Sequence, residues 1–384
     1  MRLSADWLTT PGARAIHQTL TAGGHRCLFV GGCVRDTVLD WPVGDIDLAT
    51  DARPERVMDL AEGMGLAVHP TGIAHGTVTV VAKDLVFEVT TFRRDVATDG
   101  RRAVVAFSDR VEDDAARRDF TLNALYAEAD GEIVDPLGGL PDLLARRVRF
   151  IGDPAARIQE DYLRILRFFR FHASLGAGPI DAAGLAAVTA LAPGLEQLSA
   201  ERVWMEMQRL LALPRPAETL QAMQMADVLD RVLPGASCTD LAALEAAEAA
   251  LGAEPAPLRR LAALGAARDH LRLSRAEARH LNLIAAAREE PRGPAVRAAR
   301  FGAEVAIDAG LIEAAAGAAH PSGAWRGEIA RGAAATLPVS AADLMPTLGA
   351  GPALGRALAR LAERWYDSDL RATRDDLLAA DTAD

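Results

Sequence analysis

Apolar positions along the chain change their period, and the changes divide the sequence. Residues 12–26 carry Ile16 and Leu20 at helical spacing and predict a helix. The run CLFVGGCVRDTVLDWPVGDIDLAT, starting at Cys27, then reads as a short apolar strand, a Gly31-Gly32 turn and a short helix bearing Arg35 and Asp36. It closes with a second strand that opens on Asp45 and Asp47. Pro54 fits the first turn of a helix reaching about Gly63. Strand-like runs follow over 66–69, 77–82 and 85–92. In the last, Phe87, Val89 and Thr91 share one face and Glu88 and Thr90 the other, because side chains alternate along a strand. Residues 93–110 lose this periodicity and read as a long polar connection with a short strand over 104–107, the kind of loop that is often functional.

A helix over about 112–127 carries Arg117, Arg118, Asp119 and Asn123, and residues 131–136 form a brief strand and turn. Gly138-Gly139 precedes a helix at Pro141. Beyond about residue 150 the pattern becomes helical and rich in alanine. One helix over 154–175 carries Asp161, Arg164, Arg167 and Arg170, and another spans 201–213, with Ser199 as its cap and Pro214 beyond its end. Further helices lie between 216 and 378, their apolar positions at helical spacing, which predicts packing rather than disorder. The expected fold is α+β: a strand-containing head over 1–150, a helical neck over 151–215, and a helical body and tail over 216–384.

At 384 residues the chain exceeds one ordinary core, in keeping with several domains. Met1 to Thr10 already carries Arg2 and Asp6 and does not resemble a secretion signal, and no apolar run has the length of a membrane span. Cys27, Cys33 and Cys238 are odd in number and not spaced like a zinc site, so they read as reduced thiols of a cytoplasmic protein. A net charge of -11 excludes a uniformly basic nucleic-acid binder. A local basic surface stays open, since salt screens distant charges: from Asp142 to Arg170 there are seven arginines against four acidic residues.

The candidate chemistry starts at Asp45 and Asp47. Two apart on a strand, they project from one face, and two adjacent carboxylates repel unless a cation sits between them. Oxygen ligands of this kind suit magnesium. Glu88 is equally a third carboxylate for that site or a solvent-facing strand residue. The glycine pair allows bare backbone to approach a phosphate. Each half alone reads as a tight turn or a solvated strand end; both, in this order, point to nucleotide phosphoryl chemistry. The G-x-G-x-x-G spacing of dinucleotide sites is absent.

The run GGCVRD followed by DID resembles the signature of the class II tRNA nucleotidyltransferases and bacterial poly(A) polymerases, of the polymerase-β-like nucleotidyltransferase superfamily. RRDFTLNA from Arg117, DGEIVDPLGG from Asp130, EDYLR from Glu160 and ERVWME from Glu201 resemble that family's later motifs, in order, over about residues 25–215. The resemblance implies that Asp45 and Asp47 hold magnesium, that Gly32 and Arg35 contact the triphosphate, and that Arg118 adds to its neutralisation. It implies that Asp161 and Arg164 form a protein template for the base, with Arg167 also at the nucleotide site. Cytosine and adenine both present an amino donor beside a ring-nitrogen acceptor, which a carboxylate and a guanidinium match; uracil and guanine do not. The plainer alternative for Asp161 and Arg164 is a helical ion pair worth ~0.2 to 0.5 kcal/mol.

Arg170 reads as structural or RNA-facing, and Glu201, Arg202 and Glu206 as buttresses of the template helix or, alternatively, an ordinary exposed helix face. Phe168, Phe169 and Phe171 are given to the core and His75 to a turn. The implied activity is addition of CCA to tRNA 3′ ends from CTP and ATP, with a poly(A) polymerase or a CC- or A-only enzyme as the alternative. A non-catalytic RNA-binding or nucleotide-sensing protein is the reading from another class. The implied partners are tRNA and nucleotides, with no membrane.

Overall fold

A computed structural model of the chain describes residues 1–83, 85–99, 102–176, 178–318 and 323–381. The chain falls into two compact units, Met1–Val203 with Ala222–Val232, and Trp204–Gln221 with Leu233–Asp384. The first is mixed and the second helical, the expected α+β order.

The first unit begins with α1 (Pro11–Ala22), capped by the Thr10 hydroxyl on the Ala13 amide. There follow β1 (Cys27–Val30), α2 (Gly32–Val38), β2 (Ile46–Thr50), α3 (Pro54–Gly63), β3 (Ala67–Gly72), β4 (Thr77–Ala82) and β5 (Leu85–Thr91). Gly31 has φ 73°, a left-handed backbone that lets the chain turn from β1 directly into α2. After a hairpin of β6 (Arg93–Asp99) and β7 (Arg102–Phe107) come α4 (Val111–Ala116), β8 (Tyr126–Ala127), β9 (Ile133–Val134) and α5 (Leu140–Leu144). The seven-stranded sheet has the order β3-β4-β5-β2-β1-β8-β9. Only β2 and β5 run parallel in it. Its central strands are buried on both faces: α1 and α3 lie against β4, and Leu28, Val30, Ala49, Phe92, Val111, Ala115 and Tyr126 form a core on the other side. The register sets Asp47 beside Val30 on one neighbour and Glu88 on the other. The helices that complete this unit are α6 (Pro154–Glu160), α7 (Leu163–Leu175), α8 (Ala182–Leu191) and the start of α9 (Ala200–Leu211).

Four expectations are corrected. Asp45 lies one residue before β2 rather than in it, and it is exposed. The connection expected over 93–110 pairs over most of its length: the short strand expected over 104–107 falls within β7, and β6, whose run RRDVATD carries no apolar alternation, pairs with it. The helix expected to reach 127 ends at Ala116. There the Asp119 carboxylate accepts the Phe120 amide, Phe120 bridges to Phe150, and Tyr126 pairs with β1, so backbone groups a helix needs go elsewhere. The helix over 154–175 breaks at Asp161, whose carboxylate takes the Leu163 amide at 3.1 Å and opens α7.

In the second unit Arg260 is fully buried, and it is satisfied by Glu248 at 2.6 Å and by the carbonyls of Leu211, Leu213 and Pro214, which ties down the end of α9. No described helix is long and apolar enough to cross a membrane.

The turn before α5 supports the segment that carries Asn123. Gly139 packs flat on the Thr121 carbonyl, while the Thr121 hydroxyl bonds Asp142 at 2.8 Å. A methyl group at Gly139 would press on that carbonyl oxygen. Gly139→Ala is therefore expected to lower stability by about 1 to 3 kcal/mol in urea unfolding, and wild-type stability would refute the tight packing.

Candidate active site

A cleft of about 390 Å³ opens where the β1–α2 turn, the segment after α4 and the α6–α7 break converge. Gly31, Gly32, Arg35, Asp47, Arg117, Arg118, Asp119, Asn123, Asp161, Arg164, Arg167 and Phe171 line it. Of the residues singled out in the sequence, Gly32, Arg35, Asp47, Arg118, Asp161, Arg164 and Arg167 are thus brought together, although they span 136 positions from Gly32 to Arg167 counted inclusively (167 − 32 + 1). Asp45 is not in the lining; it acts on Asp47 through its charge.

The arginines are anchored from behind. Arg35 donates to Asp36 at 2.8 Å and to the Asn123 side-chain oxygen at 2.9 Å. Asp114, fully buried, accepts from Arg117 at 2.8 Å, from Arg118 at 3.0 Å and from the Tyr126 hydroxyl at 2.7 Å. Burial alone would raise the Asp114 carboxyl, but Arg118 and Arg117 outweigh it and hold it below the usual range. Asp119 accepts from Arg167 at 2.7 Å and from the Asn123 amide at 3.0 Å, and these partners likewise hold it ionised against burial. Arg157 caps the Arg117 and Arg118 carbonyls and meets Glu160 at 2.5 Å.

Asp161 and Arg164 do not pair with each other. Asp161 takes Arg202 at 2.6 Å, and Arg164 donates to Glu160 at 2.6 Å and to the Arg157 carbonyl at 2.9 Å. The helical ion pair is therefore not what holds them, and Arg202 buttresses this segment as expected. Asp119 and Asn123, to which the sequence reading gives no site role, link the arginines; the only signal for them was their membership of the RRDFTLNA run. Phe168 and Phe169 are core, whereas Phe171 is both buried and at the cleft wall.

Asp47 is the crowded carboxylate. Burial raises it most, Glu88 adds to the effect, Arg118 opposes it and Asp45 adds again, so that its pKa is pushed up to about 6. That excess of negative charge is what a divalent cation relieves. The oxygen donors of Asp47 and its neighbour Asp45 are of the kind that suits a hard divalent cation. The Cys33 thiol nearby is pushed up to about 11 by burial, which makes it a packing group rather than a nucleophile.

The family described as the poly(A) polymerase head domain matches residues 27–149, and that described as a probable RNA and SrmB binding site of polymerase A matches residues 179–239. The crystal structure of the Bacillus stearothermophilus CCA-adding enzyme in complex with CTP is 32% identical, covers 93% of each chain and superposes with a TM-score of 0.76. The chain belongs to the family of the CCA-adding enzymes and poly(A) polymerases. Other members include the human mitochondrial CCA tRNA nucleotidyltransferase 1, 39% identical over 207 residues, or 53% of this chain and 48% of that protein. The Geobacillus thermodenitrificans CCA-adding enzyme is 41% identical over 230 residues, 58% of this chain and 54% of the relative. The chain thus spans about half the length of the curated relatives it matches. The matched head region contains Arg35, Asp45, Asp47 and Arg118, and it ends before Asp161.

An acid whose pKa rises on folding weakens the fold once it is ionised. In chelator, Asp47→Asn is therefore expected to be more stable than wild type above about pH 6, and the difference should vanish below pH ~4, where the carboxyl is protonated in both states. Thermal unfolding across that range checks it; equal stability in the alkaline arm would refute the crowding.

Proposed function

We propose that the chain is a template-independent tRNA nucleotidyltransferase that adds C and A to tRNA 3′ ends from CTP and ATP and releases pyrophosphate. The observation that carries this reading is the shared cleft: a metal-type carboxylate, phosphate-type arginines and a carboxylate–guanidinium pair suited to C and A all line it. The names of the relatives support it, since the 32% identical structure is a CCA-adding enzyme in complex with CTP. On this reading residues 1–150 are the catalytic head, 151–215 the neck with the template, and 216–384 the body and tail that bind tRNA. A cytoplasmic setting suits three free, buried cysteines.

Asp45 and Asp47 would hold magnesium, which supplies activation of the RNA 3′-hydroxyl and neutralisation of the triphosphate when bound. Arg35 and Arg118 take the phosphate oxygens as planar forks, and the bare turn at Gly31 and Gly32 lets the triphosphate come close to backbone. Their anchors Asp36, Asn123 and Asp114 fix these cations before substrate arrives, so little ordering remains to be done in the transition state. Asp161 accepts from the exocyclic amine of C or A, and Arg164 donates to the ring nitrogen. U and G would leave both groups desolvated and mismatched.

Purified protein given tRNA ending before CCA, tRNA ending in CC, and unstructured RNA, each with single labelled nucleotides, tests the reading. CCA completion on tRNA is expected, and long A tails on unstructured RNA would replace it with the poly(A) polymerase. The Asp45→Ala, Asp47→Ala double variant should lose incorporation by at least ~10³-fold; wild-type rates would remove the metal assignment.

The template has a separate test. Asp161→Ala, and more weakly Arg202→Ala, should raise misincorporation of U and G by about tenfold or more relative to C and A, a loss in the range of one hydrogen bond to a charged group. Unchanged base selection in single-nucleotide kinetics would dismiss it.

A further inference from the structure

The ring of Phe171 carries more charge on its surface than any other aromatic side chain described here. The guanidinium of Arg35 lies 5.2 Å from its centroid, that of Arg167 5.3 Å and that of Arg170 4.3 Å. Arg35 comes from α2 and Arg167 and Arg170 from α7, so one ring gathers cations from two separate elements. All three distances are within the roughly 6 Å at which a ring's negative face attracts a cation. Phe171 is 5% exposed and is itself held by an edge contact with Phe120 at 5.5 Å, which packs in turn on Phe150 at 4.8 Å. The ring is therefore an immobile surface at the cleft wall, backed by an aromatic core.

Three guanidiniums brought this close repel one another. Carboxylate and amide partners hold guanidinium edges here: Asp36 and Asn123 hold Arg35, and Asp119 holds Arg167. These hydrogen bonds act in the plane of each guanidinium. A ring face that attracts it adds a restraint perpendicular to that plane and offsets part of the repulsion. We propose that Phe171 is a positioning residue of the nucleotide cleft: its ring sets where the guanidiniums of Arg35 and Arg167 stand, with Arg170 adjoining, and so sets nucleotide affinity. The proposal rests on the reading of this cleft as a nucleotide site. It predicts that the electronic character of the ring matters, not its volume alone, and that the effect shows in nucleotide affinity.

The test replaces Phe171 with phenylalanines carrying one, two and three ring fluorines, which weaken the negative face at nearly constant size, alongside Phe171→Tyr and Phe171→Leu. The dissociation constant for CTP is expected to rise stepwise with fluorination and to reach about tenfold in Phe171→Leu. Phe171→Tyr should bind CTP near wild type, with the melting temperature little changed across the fluorine series. A flat series, or wild-type affinity in Phe171→Leu, would overturn the proposal. The ligand-free protein supplies an independent reading. Nε–Hε resonances of Arg35, Arg167 and Arg170 should be shifted by the ring in wild type and return to solvent-like positions in Phe171→Leu; unshifted resonances in wild type would equally overturn it. If wild type takes up no CTP, the nucleotide reading fails, while the guanidinium resonances still decide whether Phe171 holds the arginines.

Discussion

One buried carboxylate joins the two halves of this cleft. Asp119 accepts from Arg167 on α7 and from Asn123, and Asn123 accepts from Arg35 on α2. The path from the helix after the α6–α7 break to the turn after β1 thus runs through two hydrogen-bonded side chains. Asp119 is nearly inaccessible to solvent, and Arg167 and Asn123 keep it ionised against the cost of burial. Removing one member of such a buried pair costs ~3 to 5 kcal/mol, because the other charge is left without compensation. The sheet register supplies the second constraint: Asp47, one step from the start of β2 and beside Glu88, lines the cleft that the arginines wall.

The same arrangement explains how an acidic chain presents a cationic cleft. Arg35, Arg117, Arg118, Arg164 and Arg167 line it, and each has an acidic partner: Asp36, Asp114, Asp114, Glu160 and Asp119. These partners set their charge against the guanidiniums and fix them at the cleft wall. A net charge of -11 therefore says little about this surface, since the forces that matter act over a few ångströms.

Most strands, α1 and α3 were legible in the sequence, because burial alternates along β4 as Val78, Val80 and Ala82 point inward, because Ile16 and Leu20 stand at helical spacing, and because Pro54 marks a helix start. The site residues were legible through motif order rather than through any pattern of burial. What misled the reading was short side chains that take backbone amides for themselves. Asp119 takes Phe120, and Asp161 takes Leu163, so two helices that look continuous by propensity are broken where the cleft forms. In the hairpin the part of β7 over 104–107 was legible, whereas β6 was not, its run RRDVATD leaving no apolar alternation to read.

The break at Asp161 also bears on base selection. A carboxylate offers about four lone-pair sites, and Asp161 has engaged one oxygen with the Leu163 amide and the other with Arg202. Arg164 has committed Nη1 to Glu160 and to the Arg157 carbonyl, which leaves its Nε and Nη2 without a part in those bonds. Each member of the proposed template is thus pinned by its own backing and still has capacity for one more partner. Had the two paired with each other, as an unbroken helix would allow, an incoming base would have to displace that pair and its discrimination would be reduced by the cost. On the proposed reading, holding them apart lets the two meet the amine and the ring nitrogen without first giving up a mutual pair, so that the full penalty of a mismatch would fall on U and G.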